Sequence, residues 1–302
     1  MVEEVEETPL NAHRHPSVVL VVVVILLAAG GFSEWYHQAV DQPDPPADGA
    51  ATVPEPRDPS PAYLDADVLF SAGLHPHRLE NPSPLLAVVI DDLGWGAAVI
   101  RDLLEAGIPL TCTVLPDGPF TARDAQLVLR AGHDLFLHVP MEPLQPRPHA
   151  GRIITCGADP HKVRQLLEDW LAQVPGAVGI SNHMGSRACA DPGIVDVLLD
   201  VAAEHGLLVL DSRTSPRSLI AARARERGLI AFENCLFLDN QRDFEAIKRQ
   251  LRKAVEWARR HGHAVVIGHP HESMLRALRW LVTELPALGV RPVKLSEIAT
   301  GR

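Results

Sequence analysis

Residues 85–92 read LLAVVIDD: six apolar residues in a row, then two adjacent carboxylates, Asp91 and Asp92. A run this short and this continuously apolar reads as a strand buried on both faces, as in a parallel sheet. The pattern returns along the chain. Comparable runs occupy 110–116 (LTCTVLP), 134–140 (DLFLHVP), 177–184 (AVGISNHM), 207–213 (LLVLDSR), 230–239 (IAFENCLFLD), 264–270 (AVVIGHP) and 291–295 (RPVKL). Helical periods lie between them, near 96–106, 121–131, 160–173, 191–205, 216–228, 242–262 and 272–285. Seven or eight alternating units predict a (β/α) barrel, complete or incomplete, with a doubly wound open sheet as the other arrangement. No G-x-G-x-x-G opens a helix and no Walker A sequence is present, so a nucleotide-binding fold lacks its fingerprint.

Composition narrows the class. The 302 residues are 46% apolar and 22% charged, the mixture of a globular protein rather than a disordered one. The net charge is −10 and is unevenly placed, with ten acidic and two basic residues in 1–62. No basic stripe interleaved with aromatics appears, which argues against nucleic acid as a partner. The predicted helix at 242–262 carries seven Lys/Arg, but Phe244, Ile247, Leu251, Val255 and Ala258 make one apolar stripe. It reads as a helix packed by one face, with a solvated basic face. Four cysteines without a CxxC exclude a disulfide scaffold and a zinc ribbon, and leave one disulfide open if the domain is exported.

Residues 17–32, SVVLVVVVILLAAGGF, carry no charge, and Trp35 and Tyr36 follow as interfacial flanks. Spanning a bilayer takes about 20 apolar residues and tolerates about 17, so 17–36 is expected to be a single transmembrane anchor after a short tail, 1–16. A cleaved signal segment is the rival, and a buried core helix the third reading. Both of the first two place the rest of the chain on the periplasmic or extracellular side. Seven prolines fall within 41–62, so 37–62 is expected to be an extended linker and 63–302 the globular domain.

The ionisable residues fall at strand ends. Asp91 and Asp92 close the first strand, and His138 closes the third with Glu142 four residues on. Asn182 and His183 close the fourth, Asp211 and Arg213 the fifth, Asp239 the sixth, and His269 the seventh. In a parallel barrel all these ends share one face, where active sites form. One carboxylate and two imidazoles, from Asp92, His138 and His183, suit a hard or borderline divalent cation. Asp91 then stands as general base toward a water, and His269 as proton donor to a leaving group. The reaction class read from these residues is metal-assisted hydrolysis of an amide or ester.

The segments VVIDDLGWG (88–96), GHDLFLHVPMEP (132–143), GISNHMGSR (179–187), LLVLDSRT (207–214), LFLDN (236–240) and VVIGHPH (265–271) resemble, in this order, the divergent polysaccharide deacetylases, an outlying branch of the NodB-type carbohydrate esterases. The resemblance covers about 85–295. It implies a distorted (β/α)7 barrel and a zinc-dependent or other transition-metal-dependent hydrolase that deacetylates an N-acetylated envelope polysaccharide or glycan to a free amine and acetate. It assigns Asp91 as base, Asp92 and His138 as metal ligands, and His269 to the closing motif. The superfamily's second metal histidine, four residues past the first, is here Glu142, and the place of its Arg-x-Pro loop is taken by Asn182 to Ser186. The third ligand is therefore His183 or Glu142. Pro140 and Pro143 hold the segment of Glu142 extended, whereas His183 restores an imidazole, so His183 is favoured. Glu142, Asn182, Asp211, Arg213 and Asp239 remain as groups behind the ligands or against the substrate. The alternative is a catalytically silent module that binds a glycan or protein of the envelope. A phosphoesterase is the third reading, with Arg187 and Arg213 as its nearby cations.

Because the Pro-rich stretch offers almost nothing to bury, deleting 1–62 is expected to leave a soluble chain that melts cooperatively at an unchanged temperature. Calorimetry of the shortened and full-length chains checks this, and a shortened chain that precipitates refutes it.

Overall fold

The computed structural model describes residues 83–301 apart from 148 and 150; the expected tail, anchor and linker, 1–62, lie outside the described residues. Among the described residues no helix is long and apolar enough to cross a membrane. The strands are β1 (Leu85–Leu93), β2 (Thr111–Val114), β3 (Asp134–Met141), β4 (Gly179–Met184), β5 (Leu208–Asp211), β6 (Ala231–Glu233), β7 (Leu236–Phe237), β8 (His263–Gly268) and β9 (Arg291–Val293). The helices are α1 (Ile100–Leu104), α2 (Thr121–Arg130), α3 (Pro160–Gln173), α4 (Pro192–Glu204), α5 (Ile220–Glu226), α6 (Phe244–His261), α7 (Glu272–Leu288) and α8 (Leu295–Thr300). Asp159, Asp191 and Asp243 cap α3, α4 and α6 by accepting backbone N–H groups of the first turn.

The strands pair in parallel, in the order β6-β5-β4-β3-β2-β1-β8-β7, with β9 beside the first residues of β1. β6 and β7 stand at opposite ends of this order, yet only Asn234 and Cys235 separate them in the chain. The two edges must therefore meet, and the sheet curls round. Asn234 N donates to Asp211 O on one edge at 2.9 Å, and Cys235 N to Val265 O on the other at 2.8 Å. The result is a curled parallel α/β sheet that fits a distorted (β/α)7 barrel. It corrects the single strand expected at 230–239: that run is two short strands on opposite edges, because its middle residues cross the seam.

Strand alternation sorts the side chains. Leu86, Val88, Ile90, Leu135, Leu137, Val139, Ile180, Val209 and Val266 face outward into the main core with the helices. Ala87, Val89, Phe136, Leu210, Val265 and Ile267 face inward and fill the barrel's lower interior. Val293 and Leu295 join this inner cluster from β9 and α8, a helix the sequence pattern did not indicate, and so plug the base. Leu295 N donates to the hydroxyl of Thr111, and Ser296 binds Asp134 through both its N–H and its hydroxyl.

The inner cluster leaves no room at Gly179. A Cβ there would lie 2.2 Å from the Phe136 ring. Gly179→Ala is expected to lower unfolding free energy by about 1–3 kcal/mol, the usual range for overpacking. Adding Phe136→Leu should recover part of that loss in urea melts. A Gly179→Ala chain as stable as the parent would show that the interior is not packed in this way.

Candidate active site

The inward parity that fills the barrel with apolar groups lower down brings polar ones to its upper end. On β1 the sequence Ala87, Val89, Asp91 runs inward, on β2 Thr111 and Thr113, on β3 Phe136 and His138, and on β4 Gly179, Ser181 and His183. Past β8, His269 continues the inward series Val265, Ile267. Asp92 breaks the alternation, since a regular strand would aim it at the helices. Its φ of 63° is left-handed, and the register of β1 against β2 shifts between Ile90 and Leu93. This bulge turns the second carboxylate back beside the first.

Asp92, His138 and His183 each offer a ligand atom, and the three atoms lie within 4.8 Å of one another. Asp92 Oδ1 is 2.8 Å from His183 Nδ1 and 3.2 Å from His138 Nε2. Despite these short contacts it accepts no aligned hydrogen bond, and neither it nor His183 Nε2 has a hydrogen-bond partner although both are buried. A buried carboxylate oxygen facing two imidazole edges without hydrogen-bond alignment fits a cation, and one O with two N donors fits zinc or a similar divalent ion. His138 is held in place from behind, with its Nδ1 2.7 Å from Ser181 Oγ. The two imidazoles meet edge to face, with centroids 5.2 Å apart.

Asp91 and His269 flank this group. Asp91 Oδ1 accepts the Thr113 hydroxyl at 2.9 Å, while Oδ2 lies 3.5 Å from His138 Nε2. Burial, reinforced by the charge of Asp92, raises the Asp91 carboxyl, although His138, His269 and Thr113 oppose this. Burial acts in the same direction on Asp92, but there His183, with His138 and His269, prevails and holds the carboxyl well below the usual carboxylate range. The adjacent carboxylates are thereby driven apart, one toward basicity and one toward permanent charge.

His269 points its Nε2 at Asp92 Oδ2, 3.8 Å away, and its ring stacks on Phe237. Asp239 orients it from behind, accepting the His269 backbone N–H at 2.7 Å and facing its Nδ1 at 3.1 Å. His271 Nε2 meets the same carboxylate at 2.9 Å, and His271 Nδ1 accepts the Met274 N–H at the start of α7. Burial alone lowers His269, but Asp239, Asp92 and Asp91 lift it to about 9. Burial alone raises Asp239, yet His269 and His271 depress it well below the ordinary value.

The remaining expected residues are each held in hydrogen bonds or ion pairs of their own. Glu142 binds Cys156 N at 2.7 Å and Arg187 at 2.7 Å, and so ties two rim loops together rather than joining the imidazoles. Asn182 has outward parity and bridges to the next loop, accepting Ser212 N and donating to Met184 O. Asp211 also has outward parity and accepts Arg213 N and, at α5, Ala221 N. Arg213, left-handed at φ 54°, faces Glu233 at 3.4 Å. Sequence reading passed over Thr113 and Ser181. Their inward parity, one strand away from Asp91 and His138, was the signal that could have found them. His133, just before β3, links Leu110 N to Leu104 O through its ring.

Comparison with known proteins bears on the family and the fold. A family model described as divergent polysaccharide deacetylase matches residues 88–299. An uncharacterized protein of Haemophilus influenzae is 30% identical over 219 residues, which are 72% of this chain and 78% of that protein. The uncharacterized protein YibQ of Escherichia coli K12 is 30% identical over 201 residues, 67% of this chain. That match spans only 63% of the E. coli protein's length. In fold, the chain is similar to the crystal structure of an uncharacterized Agrobacterium tumefaciens C58 protein, with TM-score 0.65 and 22% identity, covering 72% of this chain and 89% of that one.

The Asp239–His269 pair predicts a stability profile. The depressed Asp239 contributes above about pH 4 and loses its contribution in acid. The raised His269 contributes fully below about pH 6.5 and loses its contribution as pH rises through about 9. The stability difference between the metal-free parent and Asp239→Asn should therefore be largest between about pH 4 and 6.5 and shrink toward pH 9. Urea unfolding at each pH measures it, and a difference that stays flat from pH 5 to 9 contradicts the pairing.

Proposed function

We propose that this chain, which belongs to the divergent polysaccharide deacetylase family, is a metal-dependent amide hydrolase that removes acetyl groups from an N-acetylated envelope polysaccharide or glycan. The observation that carries this reading is the convergence of Asp92, His138 and His183 within 4.8 Å, with Asp91 and His269 on either side. A divalent cation, zinc in the first instance, would be held by Asp92, His138 and His183, and it would supply Lewis-acid polarisation of a carbonyl and a more acidic water.

The protein's own groups then divide the proton work. Asp91 is buried and raised, and the Thr113 hydroxyl fixes its Oδ1, so its second oxygen takes a proton from the attacking water. His269 carries its proton at neutral pH, with Nδ1 held by Asp239, so its Nε2 delivers a proton to the departing nitrogen. Water adds to the acetyl carbon, the C–N bond breaks, and acetate and a free amine leave. The uncharged stretch 17–32 and the Pro-rich 41–62 support an exported domain tethered near a membrane, where such polymers lie.

Four substitutions test the roles. Asp92→Ala and His183→Ala are expected to abolish tight zinc binding in titrations, while Glu142→Ala retains it. Asp91→Asn should bind zinc as the parent does, yet release acetate from acetylated amino-sugar oligomers about 10²–10⁴-fold more slowly. If Glu142→Ala loses zinc and His183→Ala keeps it, the ligand set is wrong. A parent that binds zinc but releases no acetate from any acetylated oligomer favours the silent binding module instead.

A further inference from the structure

Three side-chain atoms among the described residues are buried without a hydrogen-bond partner: Asp92 Oδ1, His183 Nε2 and Ser212 Oγ. The first faces the two imidazoles. The other two have no place in the chemistry above, and buried polar atoms are rarely left without a partner. Their positions are related. Ser181 pairs in register with Leu210, and both have inward parity, Ser181 against His138 and Leu210 in the inner cluster. Two residues further along each chain, on the same parity, stand His183 and Ser212. Asn182, the residue before His183, grips Ser212 N through its Oδ1 at 2.9 Å. On the other side Asn234 Nδ2 donates to Ser212 O at 3.3 Å. Ser212 is therefore pinned between β4 and the seam of the barrel, 1% exposed, with its hydroxyl the one polar group not engaged.

His183 turns Nδ1 toward Asp92. If Nδ1 is to present a lone pair to a cation, the ring proton must sit on Nε2, the far edge of the ring, and that N–H needs an acceptor. We propose that Ser212 is the positioning residue of His183: its hydroxyl accepts the Nε2–H through one bridging water and so fixes the tautomer that leaves Nδ1 free to bind metal. Both atoms lack a protein partner, and one water with a donor and an acceptor on either side satisfies both. The role parallels that of Ser181, whose hydroxyl meets the far nitrogen of His138 directly. Each imidazole would then be set by a serine from the neighbouring strand or the residue just past its end. Metal-bound histidines generally depend on such partners, whose removal weakens metal affinity about 10–100-fold.

The inference rests on the metal-binding reading above, and the experiment separates the two. Zinc and cobalt are titrated into the full-length parent, Asp92→Ala, Ser212→Ala, Ser212→Thr and Ser212→Val, each first shown to melt cooperatively. Ser212→Ala should bind zinc about 10–100-fold more weakly. Ser212→Thr, which keeps the hydroxyl, should bind more tightly than Ser212→Val, which has the same shape without it. Nitrogen-15 histidine spectra of the zinc-loaded parent should show His183 protonated and slowly exchanging at Nε2, and this readout stands even if a Ser212 variant does not fold. A His183 ring that is unprotonated at Nε2, or that binds zinc through it, overturns the proposal. So do Ser212→Ala and Ser212→Val chains that bind zinc as the parent does while Asp92→Ala does not. Zinc affinity unchanged in Asp92→Ala would instead remove the metal reading itself, and this inference with it.

Discussion

Two neighbouring residues of a strand face opposite sides of the sheet, and this site needs both of its neighbouring carboxylates on one side. The left-handed turn of Asp92 meets that constraint. An L-residue in this conformation costs about 1–2 kcal/mol, and aspartate tolerates it better than most. Among the described residues the four non-glycine residues with positive φ are Asp92, Asp117, Met184 and Arg213, and all lie at or just beyond the C-terminal ends of β1, β2, β4 and β5. Backbone strain is thus concentrated at the mouth, where the functional groups gather, while the lower barrel keeps regular strand geometry.

The same mouth concentrates charge in a place poor in solvent. Asp91, Asp92, His138 and His183 are each no more than 4% exposed. Isolated carboxylates at such depth are costly, and removal of one partner from a buried pair is costlier than the pair itself. Here each carboxylate has a distinct answer: a threonine hydroxyl for Asp91, two imidazoles for Asp92, and two more for Asp239. A cation among Asp92, His138 and His183 would offset what the imidazoles alone leave unbalanced. The pairing of Asp239 with both His269 and His271 also links His269 to the start of α7, because His271 caps that helix with its other nitrogen.

Closure of the sheet makes this convergence possible. In a flat sheet β8 and β4 would lie four strands apart, and His269 could not approach a carboxylate shared with His183. The two-residue link across the seam brings β6 and β7 together, and the plug of Val293 and Leu295 seals the opposite end. The interior therefore grades from a packed apolar base to a polar mouth over the length of one strand.

Much of this was legible in the sequence. Apolar runs such as LLAVVI and LLVL require burial on both faces, which parallel strands covered by helices provide, so the α/β class follows from hydrophobicity alone. Strand-terminal Asp91, Asp92, His138, His183 and His269 follow from the same periodicity, since a run that ends in an ionisable group must end near solvent or near a partner. Tertiary structure decided what periodicity cannot carry. The run 230–239 is apolar apart from Glu233, Asn234 and Asp239, and nothing local says that Asn234 and Cys235 cross between two sheet edges. Local sequence favours His183 over Glu142 for the third position, but only the tertiary structure shows Arg187 and the backbone of Cys156 engaging the Glu142 carboxylate. Asp92 faces the interior only because β1 bulges against β2, a pairing made with residues about twenty positions further on. Local sequence sets which groups can be buried; contacts between distant strands set which of them meet.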